Sequence, residues 1–239
     1  MKTVDDIREY LNEQALEETI QQMIADLKAT QHGDETNPLY DVLTIFHLEG
    51  GVWKHTKLAV DALPNVARDL SANLNDPEYQ ELYNKHLNTL RSAALFHDIG
   101  KIATQTPSTK RPGSYSFPEH PSEEVVDKLF QEYDITPSSA VRDLVVHHHD
   151  SPKDISALRD QGWESEALKL LIILKAADNV AVGPRGTASA VQHVRPFVDA
   201  MGEEPTVPAD RIDREELDVL PRDVEVSDFD KEMQPFARR

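Results

Sequence analysis

Apolar residues that return every three or four positions constrain this chain more than any other feature of it. From Thr3 to Lys28 they fall at Val4, Ile7, Leu11, Ala15, Leu16, Ile20, Met23, Ile24 and Leu27, and Thr3 with Asp6 offers the start of a capping box. Such spacing gathers the apolar side chains on one stripe of a helix. The same period, punctuated by Pro, Gly and Asn, predicts further helices over 52–63, 65–74, 77–98, 119–133, 137–150, 164–182 and 187–200. No stretch alternates apolar and polar residues as a half-buried strand does. The expected fold class is therefore all-α, a single helical bundle, since 239 residues suffice for one good core. Residues 1–44 are expected as an N-terminal helical segment packing on the core and 45–200 as the main domain. From 201 to 239 the chain turns acidic and Pro-punctuated, with isolated apolar residues such as Leu217, Leu220 and Phe229, which predicts an irregular C-terminal arm.

Charge and composition narrow the chemistry. The net charge of −18 speaks against extended duplex binding, because affinity for a phosphate backbone comes mostly from Lys and Arg. No apolar run reaches the roughly 18 residues of a membrane span, and Met1 leads directly into charged sequence, so a soluble, cytoplasmic protein is expected. The absence of cysteine excludes disulfides and thiolate ligands, so any metal must be held by imidazole and carboxylate. Two acid-free basic islands interrupt the acidic background: residues 50–60 (GGVWKHTKLAV), with Lys54 and Lys57, and residues 99–118, with Lys101, Lys110 and Arg111. Both flank histidines, where a phosphate-bearing ligand would need positive potential.

Histidine and aspartate occur where a helix should bury leucine. His97 and Asp98 end the apolar run ALFHDIGK (94–101), and Asp178 interrupts LLIILKAADNVA. A buried carboxylate is costly unless it is paired or bound to a cation. With His55, near the start of another predicted helix, these residues are candidates for one metal site, since a compact cation needs converging N and O donors at about 2.0–2.3 Å. Without a metal, Asp98 is expected to be an unpaired buried charge. Taken singly, each residue has an ordinary alternative as a hydrogen-bonded structural group.

His55, His97-Asp98 and Asp178, in that order on an all-helical chain, resemble the H…HD…D signature of the HD-domain metal-dependent phosphohydrolases, and HDIGK is among that family's most specific local forms. Within the superfamily, FHLEGGVWKHT (46–56), ALFHDIGK (94–101), FPEH (117–120) and LVVHHH (144–149) resemble the HD domain attached to bacterial tRNA nucleotidyltransferases, over roughly residues 45–182. The residues before 45 are too few for the nucleotidyltransferase head, so nucleotide addition is not expected. In the family's third segment a Gly precedes the His and another follows it, whereas Glu119 and Glu123-Glu124 stand here. The Glu found three residues after HD in HD nucleotidases and guanosine-tetraphosphate hydrolases is replaced by Lys101, which lowers the rank of those two activities.

The resemblance implies His55, His97, Asp98 and Asp178 as ligands of a divalent transition metal (Mn, Ni, Co, Fe or Zn, with Mg a further candidate). It also implies His120 and His148, with His147 or His149 as alternates, for a second ion sharing Asp98. One ion, with the extra histidines serving as acid or phosphate ligands, is the alternative. Successive helix positions are about 100° apart, so three adjacent imidazoles fan over roughly 200° and cannot all reach one centre. Glu49 is a further candidate ligand or a structural residue before the Gly50-Gly51 turn. His32, His86 and His193 lie outside every motif and are expected as surface or capping histidines.

An ion so held lowers the pKa of its bound water toward about 7. Lys101, within a turn of Asp98, can neutralise a phosphate oxygen as charge develops, which makes Asp98 and Lys101 the catalytic candidates. Lys54, Lys110, Arg111 and Arg185, the last in VGPRGT, are candidate substrate contacts, partly along a 101–118 loop of the kind that covers a site. The expected function is hydrolysis of a phosphate mono- or diester by a metal-activated hydroxide. The resemblance points to a nucleotide or RNA end, such as a 2′,3′-cyclic phosphate or a terminal phosphate. Two other classes stay open: a noncatalytic interaction module stapled by its metal, which would have closed coordination, and a diiron HD-type oxygenase. The expected partner is a phosphate-containing small molecule or a nucleic-acid end, with no membrane, and a homodimer is left open.

Overall fold

The computed structural model describes residues 17–39, 47, 50–182 and 190–202. The N-terminal part of the first predicted helix, Glu49, Arg185 and the acidic arm beyond residue 202 lie outside the described residues. The described elements are helical apart from one small hairpin: α1 (Glu17–Ala29), α2 (Val52–Asn73), α3 (Glu78–Lys85), α4 (Leu87–Phe96), the single turn α5 (Lys101–Thr104), β1 (Thr106–Pro107), β2 (Tyr115–Ser116), α6 (Glu123–Glu132), α7 (Ser139–His147), a 3-10 turn (Pro152–Asp154), α8 (Ile155–Asp160), α9 (Ser165–Ala181) and α10 (Ala190–Ala200). This is the all-α bundle expected from the periodicity.

Helix α9 is its axis. Leu168 through Ala177 are buried without interruption, so the helix has no solvent face over that stretch and packs against α2, α10, α3, α4 and α7. Two lysines in this run are satisfied at their tips. Lys169 Nζ lies 2.7 Å from both Asp76 Oδ2 and Glu78 Oε2, and Lys175 Nζ donates to the backbone carbonyls of His148 (2.5 Å) and Asp150 (2.7 Å). Helix α2 buries a single stripe: Val52, His55, Thr56, Ala59, Val60, Leu63, Val66, Ala67 and Leu70. On α1, Ile20, Met23, Ile24 and Leu27 form the stripe read from the sequence.

Several boundaries differ from the sequence reading. The helices expected at 52–63 and 65–74 are one helix running through Pro64. An interior proline costs about 3 kcal/mol, but burying Leu63, Val66 and Leu70 at about 1.5–3 kcal/mol each outweighs it. The helix expected over 77–98 is two, broken at His86 (φ −113°, ψ 29°), which takes the N-cap position of α4 and meets Glu166 Oε1 at 2.7 Å. Helix α6 begins at Glu123 rather than 119, which leaves His120 in a turn. The expected 101–118 loop is instead a helical turn followed by an antiparallel hairpin, Thr106 opposite Ser116 and Pro107 opposite Tyr115. Among the described residues, no helix is long and apolar enough to cross a membrane.

Candidate metal centre

Three helices deliver one cluster of donors. His55 sits in the first turn of α2, His97 and Asp98 follow the last residue of α4, and Asp178 lies in the last turn of α9. His55 Nε2 is 2.9 Å from Asp178 Oδ1, 3.2 Å from His97 Nε2 and 3.6 Å from Asp98 Oδ2. His97 Nε2 is 3.4 Å from Asp98 Oδ2 and 3.6 Å from Asp178 Oδ1. Donors arranged around one cation with bonds near 2.1 Å are separated by about 3.0–3.4 Å, so this spacing suits an ion. The opposite oxygen of Asp98 faces a second group: Oδ1 lies 3.4 Å from His120 Nε2 and 3.8 Å from His148 Nε2, and His149 brings a ring nitrogen into the same group.

Ring orientation is set by the backbone. The Nδ1–H of His97 donates to Ala94 O (2.8 Å), that of His120 to Phe117 O (3.1 Å) and that of His148 to Val145 O (2.6 Å), each carbonyl three residues earlier. In each case Nδ1 is taken by the backbone and Nε2 is turned toward Asp98, the orientation a metal ligand needs. The Nε2 atoms of His120 and His148 are buried and make no hydrogen bond. Leaving such acceptors unsatisfied costs about 1–3 kcal/mol each, and a cation would satisfy both.

The electrostatics agree. Burial opposes protonation of His97, yet Asp98 and Asp178 overcome it and push the imidazole up to about 10. The field at that nitrogen thus favours positive charge, which a divalent ion would supply. Burial would raise Asp98 and Asp178, but Lys101 and His97 hold the first, and His55 and His97 the second, well below the usual carboxylate range. Burial, reinforced by neighbouring histidines, pushes His148 well below the ordinary imidazole value. His149 exposes an edge to solvent while its ring packs on His120 and His148 (centroids 4.6 and 4.4 Å apart), and it is lowered to about 4. Neutral imidazoles and ionised carboxylates are the forms that bind metal, so His148, His149, Asp98 and Asp178 are already in that form, whereas His97 would give up its Nε2 proton to an ion.

Close packing places the second group. A Cβ on Gly100 would lie 1.8 Å from the carbonyl oxygen of His120, so only glycine lets the end of the HDIGK turn press against the backbone of that histidine. Glu119, standing where the related pattern has glycine, adopts φ +56°, the left-handed conformation that glycine favours, and so His120 is still delivered to Asp98. Lys175, through the carbonyls of His148 and Asp150, ties down the end of α7.

Most sequence candidates converge. His55, His97 and Asp178 gather on one side of Asp98 and His120 and His148 on the other, and of the two alternates His149 joins the second group. His147 turns away, with Nδ1 2.7 Å from Asp150 Oδ2 and its ring against Trp163. Lys101 is buried, with Nζ 2.7 Å from Asp98 Oδ2, so Asp98 is not the unpaired charge expected without a metal. Lys54 is half-buried beside His55 on α2, and Lys110 and Arg111 are exposed at the tip of the hairpin. His193 is exposed and His86 caps α4, as expected, but His32 is not a surface residue. It is 4% exposed, stacks on His47 (3.9 Å) and approaches Lys101. His32 was expected as a surface or capping histidine, and His47 was not singled out. His47 stood inside the quoted FHLEGGVWKHT segment, whereas His32 carried no local signal.

Comparison with known proteins gives one result. The model of the HD domain matches residues 52–183, more than half of the chain and the span from His55 to Asp178. Neither a curated protein nor a solved structure matches. With helices α2 to α9 and the clustered His/Asp donors falling inside that span, the chain belongs to the HD-domain family of metal-dependent phosphohydrolases.

Proposed function

We propose that this protein hydrolyses a phosphate mono- or diester, specifically one carried by a nucleotide or an RNA end such as a 2′,3′-cyclic phosphate or terminal phosphate. The observation that carries the reading is the division of Asp98. One oxygen faces His55 and His97 and the other faces His120 and His148. The cluster is also open at its edge, where the Asp178 side chain keeps 26% of its exposure and His149 meets solvent. A structural staple would be closed. His55, His97, Asp98 and Asp178 are the proposed ligands of one divalent ion, and Asp98, His120, His148 and His149 of a second. Such ions supply Lewis acidity and a bound water of pKa near 7.

The protein's own groups do the rest. Backbone carbonyls lock three imidazoles with their Nε2 atoms inward. Lys101 places an ammonium beside the centre to offset phosphoryl charge. Lys54, Lys110, Arg111 and Arg185 supply positive potential for an anionic substrate in an otherwise acidic chain. The resemblance of FHLEGGVWKHT and LVVHHH to the HD domain of tRNA nucleotidyltransferases supports an RNA or nucleotide end over a sugar phosphate, and the −18 charge supports an end over an extended duplex.

The test is metal analysis of untagged protein joined to a turnover screen with Mn, Ni, Co and Mg against 2′,3′-cyclic nucleotides, monoesters and diesters. Turnover of at least one ester, dependent on added metal, is expected. Metal-saturated protein that hydrolyses none of them would contradict the reading, and oxygen consumption by the iron form would redirect it.

A further inference from the structure

Residues 30–34 precede the span that the family model matches, yet they reach the centre. The backbone N–H of His32 donates to Gly50 O (3.3 Å), that of Tyr115 to His32 O (2.9 Å) and that of Asp34 to Gly113 O (2.8 Å). Gly33 also bridges to Ser114. The segment is therefore a strap joining the start of α2 to the β1–β2 hairpin.

The strap carries one buried imidazole inward. The Nδ1–H of His32 donates to Gly50 O at 2.8 Å, which fixes the tautomer and leaves Nε2 as an acceptor. That acceptor lies 3.3 Å from Lys101 Nζ. The ammonium is thus met on three sides: by Asp98 Oδ2 at 2.7 Å, by His32 Nε2, and by the ring of Phe117, 5.3 Å from its centroid. Phe117 meets the His32 ring edge-on at 5.6 Å, and His47 stacks on that ring with planes 9° apart. A lysine stem is flexible and its donors rotate, so an ammonium held this way has been deprived of its usual freedom.

We propose that His32 is a positioning residue that clamps the Lys101 ammonium beside Asp98, which makes the N-terminal strap part of the active centre. The clamp is a statement about the protein alone. Its effect on turnover rests on the phosphohydrolase reading above.

The variants His32→Leu, which removes the acceptor, and His32→Gln, which restores one at similar reach, test it. In His32→Leu, kcat/KM toward a phosphate ester should fall about tenfold to a hundredfold, chiefly in kcat, with metal stoichiometry unchanged, and His32→Gln should recover most of it. Placed on Lys101→Met, His32→Leu should add nothing, because a residue acting through Lys101 has no effect once the ammonium is gone. Full additivity of the two losses would overturn the clamp, as would loss of metal in His32→Leu that His32→Gln does not restore.

A second readout needs no activity. In lysine-labelled protein, the Lys101 ammonium should give a slowly exchanging NMR signal, assigned by its absence in Lys101→Met, that vanishes in His32→Leu and returns in His32→Gln. A signal that persists in His32→Leu overturns the clamp. Loss of the signal in a protein that turns over no ester upholds the clamp and sinks the phosphohydrolase reading instead.

Discussion

The two sides of Asp98 are built differently. On one side, His55, His97 and Asp178 stand on or directly after helices of the packed core, with donor separations of 2.9–3.6 Å among themselves and Asp98 Oδ2. On the other, His120 sits in a turn, His148 caps the end of α7 and His149 lies beyond it at the surface, with His120 and His148 at 3.4 and 3.8 Å from Oδ1. Packing fixes the directions of side chains on buried helices, whereas those on turns and helix ends depend on hydrogen bonds to hold them. The difference teaches that the two oxygens of one carboxylate are served in different ways: donors around Oδ2 are placed mainly by core helices, whereas those around Oδ1 are placed by a turn and a helix end that the Phe117 and Val145 carbonyls and Lys175 hold.

Removing the common donor should have the largest effect. Asp98→Ala is expected to abolish metal retention on both sides and all turnover while far-UV circular dichroism stays helical. Elemental analysis showing full metal content in that variant would refute the shared-ligand assignment. Gly100→Ala should separate the two sides. Its methyl group would meet the His120 carbonyl at 1.8 Å, so the 117–120 turn must move, at an overpacking cost of about 1–3 kcal/mol. The expected outcome in a metal titration is loss of the ion on the Oδ1 side with the one on the Oδ2 side kept. Equal weakening of both would mean that the turn holds the whole centre rather than one half.

The smallest effect is in pH. In metal-free protein, His32 and His148 are held well below the ordinary imidazole value and His149 at about 4, all chiefly by burial, so the folded state refuses protons that the unfolded chain accepts near 6.5. Stability should therefore fall as pH drops from about 6.5 toward 4. His97 has the opposite sign. Raised to about 10 by Asp98 and Asp178 against the pull of burial, it contributes fully below about 6.5, and that contribution is lost as pH rises through about 10. Thermal melting of metal-free protein should peak near pH 6.5 and decline on both sides. Metal, which displaces the His97 proton, should flatten the alkaline limb. An alkaline limb of the same slope with and without metal would place His97 outside the coordination sphere.

How much of this was legible in the sequence depends on the range of the cause. The stripes of α1 and α2 and the apolar run of α9 are local and were readable, and so was the oddity of His97, Asp98 and Asp178 among buried leucines. The continuity of α2 through Pro64 was not, because it is enforced by burial against α9 and not by the residues around the proline. His120 was only half legible: its neighbour is the wrong residue type for the family pattern, and only the +56° φ of Glu119 shows that the backbone geometry survives the substitution. The contact of His32 with Lys101 joins residues 69 positions apart through a strap of backbone hydrogen bonds, and nothing in either local sequence announces it.

The central claim is that Asp98 is shared between two metal positions, and low-temperature electron paramagnetic resonance of the manganese-loaded protein tests it most directly. Two ions joined by one carboxylate lie about 3.5–4 Å apart and are magnetically coupled. Wild-type protein at two equivalents should show the coupled spectrum, and His148→Ala the pattern of an isolated ion at one equivalent. Two bound but uncoupled ions in the wild type, or a coupled pair surviving in Asp98→Ala, would contradict the account.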